Sequence, residues 1–133
     1  MKILFHAHSG LRYLVLLAGL VALAYFLSGL VAKRPVGKGV RVMGAIFNGL
    51  LDLQVMLGII MVIMGRYYPQ LIGHIVCMLL ASGVAHGLLK ANRKRPNPGY
   101  VLPLIAVAAA LALIAGGIMA IGRGLLTSTA FAG

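Results

Sequence analysis

The sequence has very little charge for its length. Only 10% of its 133 residues are charged and 62% are hydrophobic, whereas about 25% of the residues in a typical soluble domain are charged. A soluble chain this short could not bury so much apolar surface, because small proteins have a large surface fraction. The composition therefore excludes a soluble fold and indicates an integral membrane protein.

Acidic residues and cysteine are almost absent. Asp52 is the only acid against 12 Lys and Arg, so the formal net charge is +11 at pH 7. Such a charge can indicate nucleic-acid binding, but these basic residues lie between long apolar runs, which is typical of a membrane protein. We therefore predict no nucleic-acid partner. The single cysteine, Cys77, excludes an intramolecular disulfide framework and any multi-cysteine zinc or iron–sulfur site within one chain.

Motifs of soluble enzymes are also missing. The sequence contains no P-loop, Rossmann fingerprint, HExxH zinc motif or nucleophile elbow. We therefore do not predict an enzymatic activity for the chain on its own.

Four long apolar stretches are present instead. They cover residues 10–32, 42–64, 70–89 and 100–121, and each is close to the ~20 residues that cross a hydrocarbon core as a helix. The short alternating segments of a transmembrane barrel do not occur. We predict that residues 1–133 form one domain, an all-α four-helix transmembrane bundle whose first span is retained rather than cleaved as a signal peptide.

Basic residues are distributed unequally between the two ends of this predicted bundle. The loops at 33–41 and 90–99 carry eight Lys and Arg, and the other side carries four. The positive-inside rule then puts both loops in the cytoplasm and both termini on the non-cytoplasmic side. We expect a multi-pass protein of a bacterial plasma (inner) membrane, with anionic lipids at the two basic loops.

Three ionisable residues are predicted to share one depth in the membrane. Ionisable side chains within spans are costly and usually face the bundle interior. His8 and Arg12 lie one turn apart on one face of the first span, and His74 lies about one turn into the third. Small or apolar residues continue both faces below them, and we expect these to leave room for a flat ligand: Val15, Gly19, Ala22, Met78, Ala81 and Ala85.

This arrangement favours a transmembrane haem b, which needs two imidazoles from different helices, an apolar slot and a cation near its propionates. We predict His8 and His74 as axial ligands of the haem iron and Arg12 as the propionate partner, with His6 and Arg66 as alternatives. The predicted function is a small membrane subunit that binds haem b and is associated with electron transfer.

The alternative interpretation needs no cofactor. The small residues would be close-packing positions between helices, His8 would be a hydrated interfacial residue, and Arg12 would extend to the membrane surface. The protein would then be an accessory or structural subunit that packs against a larger membrane complex, or a homo-oligomer.

A second group of polar residues, Asn48, Asp52 and His86, lies deeper and is expected to be buried. Asp52 is near the middle of the second span, with Asn48 one turn before it, and its candidate partners are Arg12, His86 and Asn48. It is interpreted as an interhelical clamp or as a proton-carrying carboxyl in a redox or ion pathway. His86 lies roughly 18 Å deeper than His74. We therefore expect it to bond a backbone carbonyl or face the cytoplasmic boundary, and not to ligate a second haem.

Two segments carry a resemblance to known proteins. His8-Ser-Gly-Leu-Arg-Tyr-Leu and Gly73-His-Ile-Val-Cys-Met-Leu-Leu-Ala81 resemble small uncharacterised bacterial four-helix membrane proteins that read His-Ser-x-Leu-Arg-Trp and Glu-His-Ile-x-x-Met-x-x-Ala. More distantly, the chain is similar to transmembrane b-type cytochromes, in which a His followed by x-x-x-Met-x-x-Ala carries haem. The resemblance implies haem ligation by His8 and His74, with Arg12 beside them. It departs at Asp52, where the relatives read like His-x-Gln.

Overall fold

The fold is all-α across the part of the chain that the structure describes. The structure is a computed structural model, and it describes residues 2–65, 69 and 71–120. Its four helices are α1 (Lys2–Val31), α2 (Lys38–Ile63), α3 (Leu71–Arg93) and α4 (Val101–Ala120), and each is long and apolar enough to cross a membrane. The predicted four-helix architecture is therefore confirmed.

Three helices continue beyond the apolar stretches that predicted them. α1 begins at Lys2, α2 begins at Lys38 and α3 continues to Arg93, because the hydrocarbon thickness limits only the apolar length of a span and not the helix itself. As a consequence, His8 lies well inside a helix rather than at its start.

Defined backbone bonds close the loops at the basic end of the bundle. Lys33 adopts a left-handed φ of 54° after α1, and the Arg34 amide donates to the Gly29 carbonyl at 3.0 Å, as in a Schellman cap. In the second loop, the Asn92 side chain donates to the Gly99 carbonyl and accepts from the Gly99 amide, both at 3.0 Å. These bonds hold the ends of consecutive helices close together.

The helices pack in a ring in which α1 and α3 lie diagonally across the bundle. The interface between α3 and α4 is the most extensive, and that between α2 and α3 is the least. The core combines aromatic and aliphatic side chains with alanines that let the helices approach: Phe26, Phe47, Leu51, Val107, Ala22, Ala81, Ala85 and Ala110.

The outward surface of the bundle is strongly apolar. Leu17, Leu20, Ile46, Ile59 and Leu80 are among the many large hydrophobic side chains that are about half-exposed or more. An exposed apolar surface this wide is unfavourable in water and matches the acyl chains of a bilayer. The fold is thus that of a multi-pass integral membrane protein.

Candidate functional site: a histidine-lined cavity

A cavity of about 240 Å³ lies among the four helices at the end of the bundle where α1 begins, here called the N-terminal end. Its polar wall consists of His8, Ser9 and Arg12 from α1, Gln54 from α2 and His74 from α3. The rest of the wall is apolar. The structure thus places all three residues predicted for the haem site around one cavity.

His74 is oriented by a backbone carbonyl of the neighbouring helix. Its Nδ1 lies 3.0 Å from the Gly117 carbonyl oxygen of α4, and because a carbonyl only accepts, Nδ1 carries the proton. In the neutral ring, Nε2 therefore keeps the lone pair. This is the tautomer with which an imidazole binds a metal through Nε2.

The close approach that makes this bond possible depends on Gly117. A Cβ placed on this glycine would lie 2.7 Å from Cε of Met78 and 2.9 Å from Cβ of Cys77. Only a residue without a side chain lets α4 come so near to α3. Sequence analysis missed Gly117, because nothing local to α4 shows what faces it.

His8 approaches the same cavity from the diagonal helix. Its ring centroid lies 6.5 Å from that of His74, with an interplanar angle of 84°. Gly58 of α2 makes room for the ring, since a Cβ there would lie 3.2 Å from Cε1 of His8. Gln54 holds α1 in place by donating from Nε2 to the His8 carbonyl at 2.7 Å. In the sequence, the i,i+4 spacing of Gln54 and Gly58 indicates that these two residues lie on one face of α2.

Arg12 is held inside the bundle. Only 7% of the residue is exposed, its Nη2 donates to the Tyr13 hydroxyl at 2.8 Å, and its guanidinium carbon lies 4.6 Å from the centroid of the Tyr13 ring. The wall of the cavity therefore carries a buried positive charge, and the interpretation in which Arg12 extends to the surface is wrong.

The sequence also offered His6 and Arg66 as alternatives to His8, His74 and Arg12. His6 is exposed and packs edge-on against Phe5, and it does not line the cavity. Arg66 lies outside the described residues.

Of the six residues expected to leave room for a flat ligand, only Val15 and Met78 line the cavity, and for the other four the prediction is wrong. Ala22, Ala81 and Ala85 are completely buried in the core. A Cβ on Gly19 would lie 2.6 Å from Cδ2 of Leu111 and 3.0 Å from Cε1 of Phe47. These four positions are used for helix–helix contact, so on α1 and α3 the open space ends below the histidines at Val15 and Met78.

The second polar group joins α2 to α3. Nε2 of His86 donates to both carboxylate oxygens of Asp52, at 2.7 and 2.9 Å, and Ser82 Oγ lies 3.5 Å from Oδ1 of Asp52. Asn48 Nδ2 donates to Nδ1 of His86 at 3.4 Å. Of the three candidate partners for Asp52, the structure selects His86.

Two expectations about this group are wrong. His86 bonds the Asp52 carboxylate and not a backbone carbonyl, because antiparallel packing brings its turn of α3 beside Asn48 and Asp52 of α2. Asp52 and His86 are also not buried, since 49% of each side chain is exposed. Asn48, in contrast, is buried as expected, with 8% exposed. Ser82 was missed, although it lies one turn from His86 on the same face.

The described residues contain no group of three or more His, Cys, Asp or Glu arranged to hold a metal ion. Comparisons with protein-family models, curated proteins and solved structures find no match for this chain.

Proposed function

We propose that the protein is a small membrane subunit that binds haem b between His8 and His74 and takes part in electron transfer. One observation carries this proposal: the two imidazoles line one largely apolar cavity with ring centroids 6.5 Å apart, and the Nδ1 proton of His74 is held by a backbone carbonyl. Histidines that ligate metals usually make this second hydrogen bond, since it orients the ring and raises the basicity of the ligand nitrogen.

The spacing of the two rings would let both hold one iron. An imidazole–metal bond is about 2 Å long, so two imidazoles that hold the same metal would have ring centroids roughly 6 Å apart. The centroids of His8 and His74 are 6.5 Å apart. This spacing therefore matches a pair of imidazoles that would hold one iron.

The wall of the cavity supplies the other requirements of a haem. Its apolar residues suit a macrocycle, and the buried charge of Arg12 suits a propionate. When bound, haem supplies reversible one-electron chemistry, and two imidazole ligands give a site for electron transfer rather than for oxygen binding.

The volume of the cavity supports a second candidate function. At about 240 Å³ it is smaller than the ~300–1,000 Å³ of typical small-molecule sites, so a macrocycle requires the helices to separate. The cavity reaches the surface between α2 and α3, where Ile59 and Leu79 line it and are about half-exposed. A chain that binds no cofactor would be an accessory subunit that packs against a larger membrane complex.

The charge distribution supports a location in a bacterial plasma membrane, with the two basic loops in the cytoplasm and both termini on the other side. In this orientation the His8–His74 cavity lies in the non-cytoplasmic half of the bilayer. The cavity would then exchange electrons with a partner on that side.

An absorption spectrum tests the proposal. The protein is purified in mild detergent from haem-replete cells and measured oxidised and after reduction with dithionite. We expect a Soret band and sharp α and β bands in the reduced state. A colourless preparation would contradict haem binding and support the accessory subunit.

Histidine variants then test the ligands. His74→Ala and His8→Ala should each abolish the low-spin spectrum or convert it to a five-coordinate one, because each removes an axial ligand. His6→Ala and His86→Ala are the matched controls, since neither residue lines the cavity, and they should keep the spectrum. Arg12→Ala should keep both ligands but weaken haem retention or shift the potential.

A further inference from the structure

We propose that the chain forms a homodimer through the outward face of α2 and α3 that surrounds Asp52 and His86. This surface, here called the dimer face, consists of Ala45, Gly49 and Asp52 from α2 and Gly83, His86 and Gly87 from α3. The proposal does not depend on haem binding.

The first argument is the position of the Asp52–His86 pair. Asp52 lies about 16 Å along α2 from Arg41, at the rise of ~1.5 Å per residue, which places it near the middle of the bilayer. Yet 49% of each side chain is exposed on the outside of the bundle. Ionisable residues at this depth normally face protein or water because acyl chains offer no hydrogen bonds. Another polypeptide surface that covers the pair removes this cost.

The second argument comes from glycines that no contact among the described residues explains. Gly83 and Gly87 lie one turn apart on α3 and are exposed, and a Cβ on either would meet no atom within 4 Å. Gly19, Gly29 and Gly117 differ, since a Cβ on any of them would lie 2.5–2.7 Å from the nearest atom of Leu111, Tyr100 or Met78, respectively. The Gly83-x-x-x-Gly87 spacing is the pattern by which two transmembrane helices approach closely.

The same pattern continues on α2. Ala45 and Gly49 are also exposed and one turn apart, and a Cβ on Gly49 would meet nothing within 4 Å. The Asp52–His86 pair therefore lies between two surfaces of small residues. Small residues permit a close backbone approach, and polar groups between them hold membrane helices together.

The occupant that fits this surface is a second copy of the chain. A two-fold axis places the same patch on both sides of an interface. The dimer face carries both a carboxylate and an imidazole, so a two-fold rotation can bring Asp52 of one copy near His86 of the partner copy.

Disulfide cross-linking in native membranes tests the proposal. In a Cys77→Ser background, Lys90→Cys places a thiol one turn from His86 on the dimer face. Val31→Cys is the control, since it is exposed at the basic end of α1. Mild oxidation with copper-phenanthroline should convert Lys90→Cys to a product of twice the 13.9 kDa chain mass, and Val31→Cys should stay monomeric.

Bulky substitutions provide the second measurement. Gly83→Leu and Gly87→Leu, added to Lys90→Cys, should lower the yield of dimer roughly tenfold, because they separate the helices. Gly10→Leu is the matched control, since Gly10 is exposed on α1 and also has open space around it. Circular dichroism should show the same helix content in all variants.

Three outcomes would overturn the proposal. They are no cross-link through Lys90→Cys, an equal effect of Gly10→Leu and Gly83→Leu, and a cross-linked product whose mass shows a different protein. The last outcome would assign the face to an unrelated subunit.

Discussion

Gly116 and Gly117 show how one missing side chain can determine the geometry of a site. Both residues are on α4 and adjacent in sequence, but a Cβ on Gly116 meets nothing within 4 Å while one on Gly117 meets Cys77 and Met78. Gly117 also provides the carbonyl that accepts from His74. A change at Gly117 therefore alters both the packing of two helices and the orientation of the candidate ligand.

We expect Gly117→Ala to lower the free energy of unfolding by about 1–3 kcal/mol, since overpacking a close contact costs this much. Gly116→Ala should be neutral or raise it by up to about 1 kcal/mol, because alanine has the higher helix propensity. Reversible unfolding in mixed detergent–SDS micelles measures the free energy of unfolding of both variants. Equal stabilities of the two variants would show that the α3–α4 contact adjusts without cost.

Among the contacts between helices, the one between α2 and α3 involves polar side chains most directly. These helices contact each other less than the other neighbouring pairs, yet the Asp52–His86 hydrogen bonds join them. The structure thus shows the interhelical contact that was one of the two interpretations of Asp52. Whether the carboxyl also carries protons stays a prediction.

A double-mutant cycle should measure this contact. Asp52→Ala and His86→Ala should show a coupling free energy of about 0.6–2 kcal/mol, the range found for hydrogen bonds between membrane helices. Asp52→Ala combined with His6→Ala should be additive, since His6 is exposed near the start of α1 and packs against Phe5 rather than Asp52. The protein must be dilute enough in micelles to stay monomeric. If the effects of Asp52→Ala and His86→Ala on the free energy of unfolding were additive, the contact between the two residues would contribute nothing to stability.

At the scale of the whole molecule, the basic end carries a groove between the start of α2 and the end of α3. Lys38, Arg41 and Arg93 line this cavity of about 610 Å³, together with apolar residues such as Val40 and Leu89. Cations beside apolar walls suit the phosphate and the upper acyl chain of an anionic lipid.

We predict that phosphatidylglycerol stabilises the protein more than phosphatidylcholine does, when thermal unfolding is compared in nanodiscs. Replacing Lys38, Arg41 and Arg93 with Gln should remove most of this preference. The expected loss of lipid binding free energy is about 3 kcal/mol, since each cation contributes ~1 kcal/mol. The control replaces Lys33, Lys94 and Arg95 with Gln, which removes the same charge outside the groove. A similar loss in both triple variants would indicate general attraction without a groove site.

The orientation of the whole bundle also has a direct test. In a Cys77→Ser background, Lys38→Cys and Lys94→Cys should resist an impermeant maleimide in intact cells, and His6→Cys should be labelled. The reason is the excess of Lys and Arg in the two loops. Labelling of Lys38→Cys before the cells are permeabilised would reverse the orientation.

The sequence alone determined the membrane character, the all-α class and the approximate position of each helix. These depend on composition and on the length of apolar runs, which the thickness of the bilayer relates directly to spans. The shared depth of His8, Arg12 and His74 could be predicted for the same reason, because depth follows from counting residues along a helix.

Only the tertiary structure decided which side chains meet. Each residue turns a helix by about 100°, so the rotation and offset of one helix against another determine every contact, and no local pattern contains them. This is why the Asp52–His86 pair, the Gly117 carbonyl beside His74 and the packing of Gly19 against Leu111 appear only in the folded chain. The sequence does not show whether a small residue leaves an open space or lets a neighbouring helix pack against it.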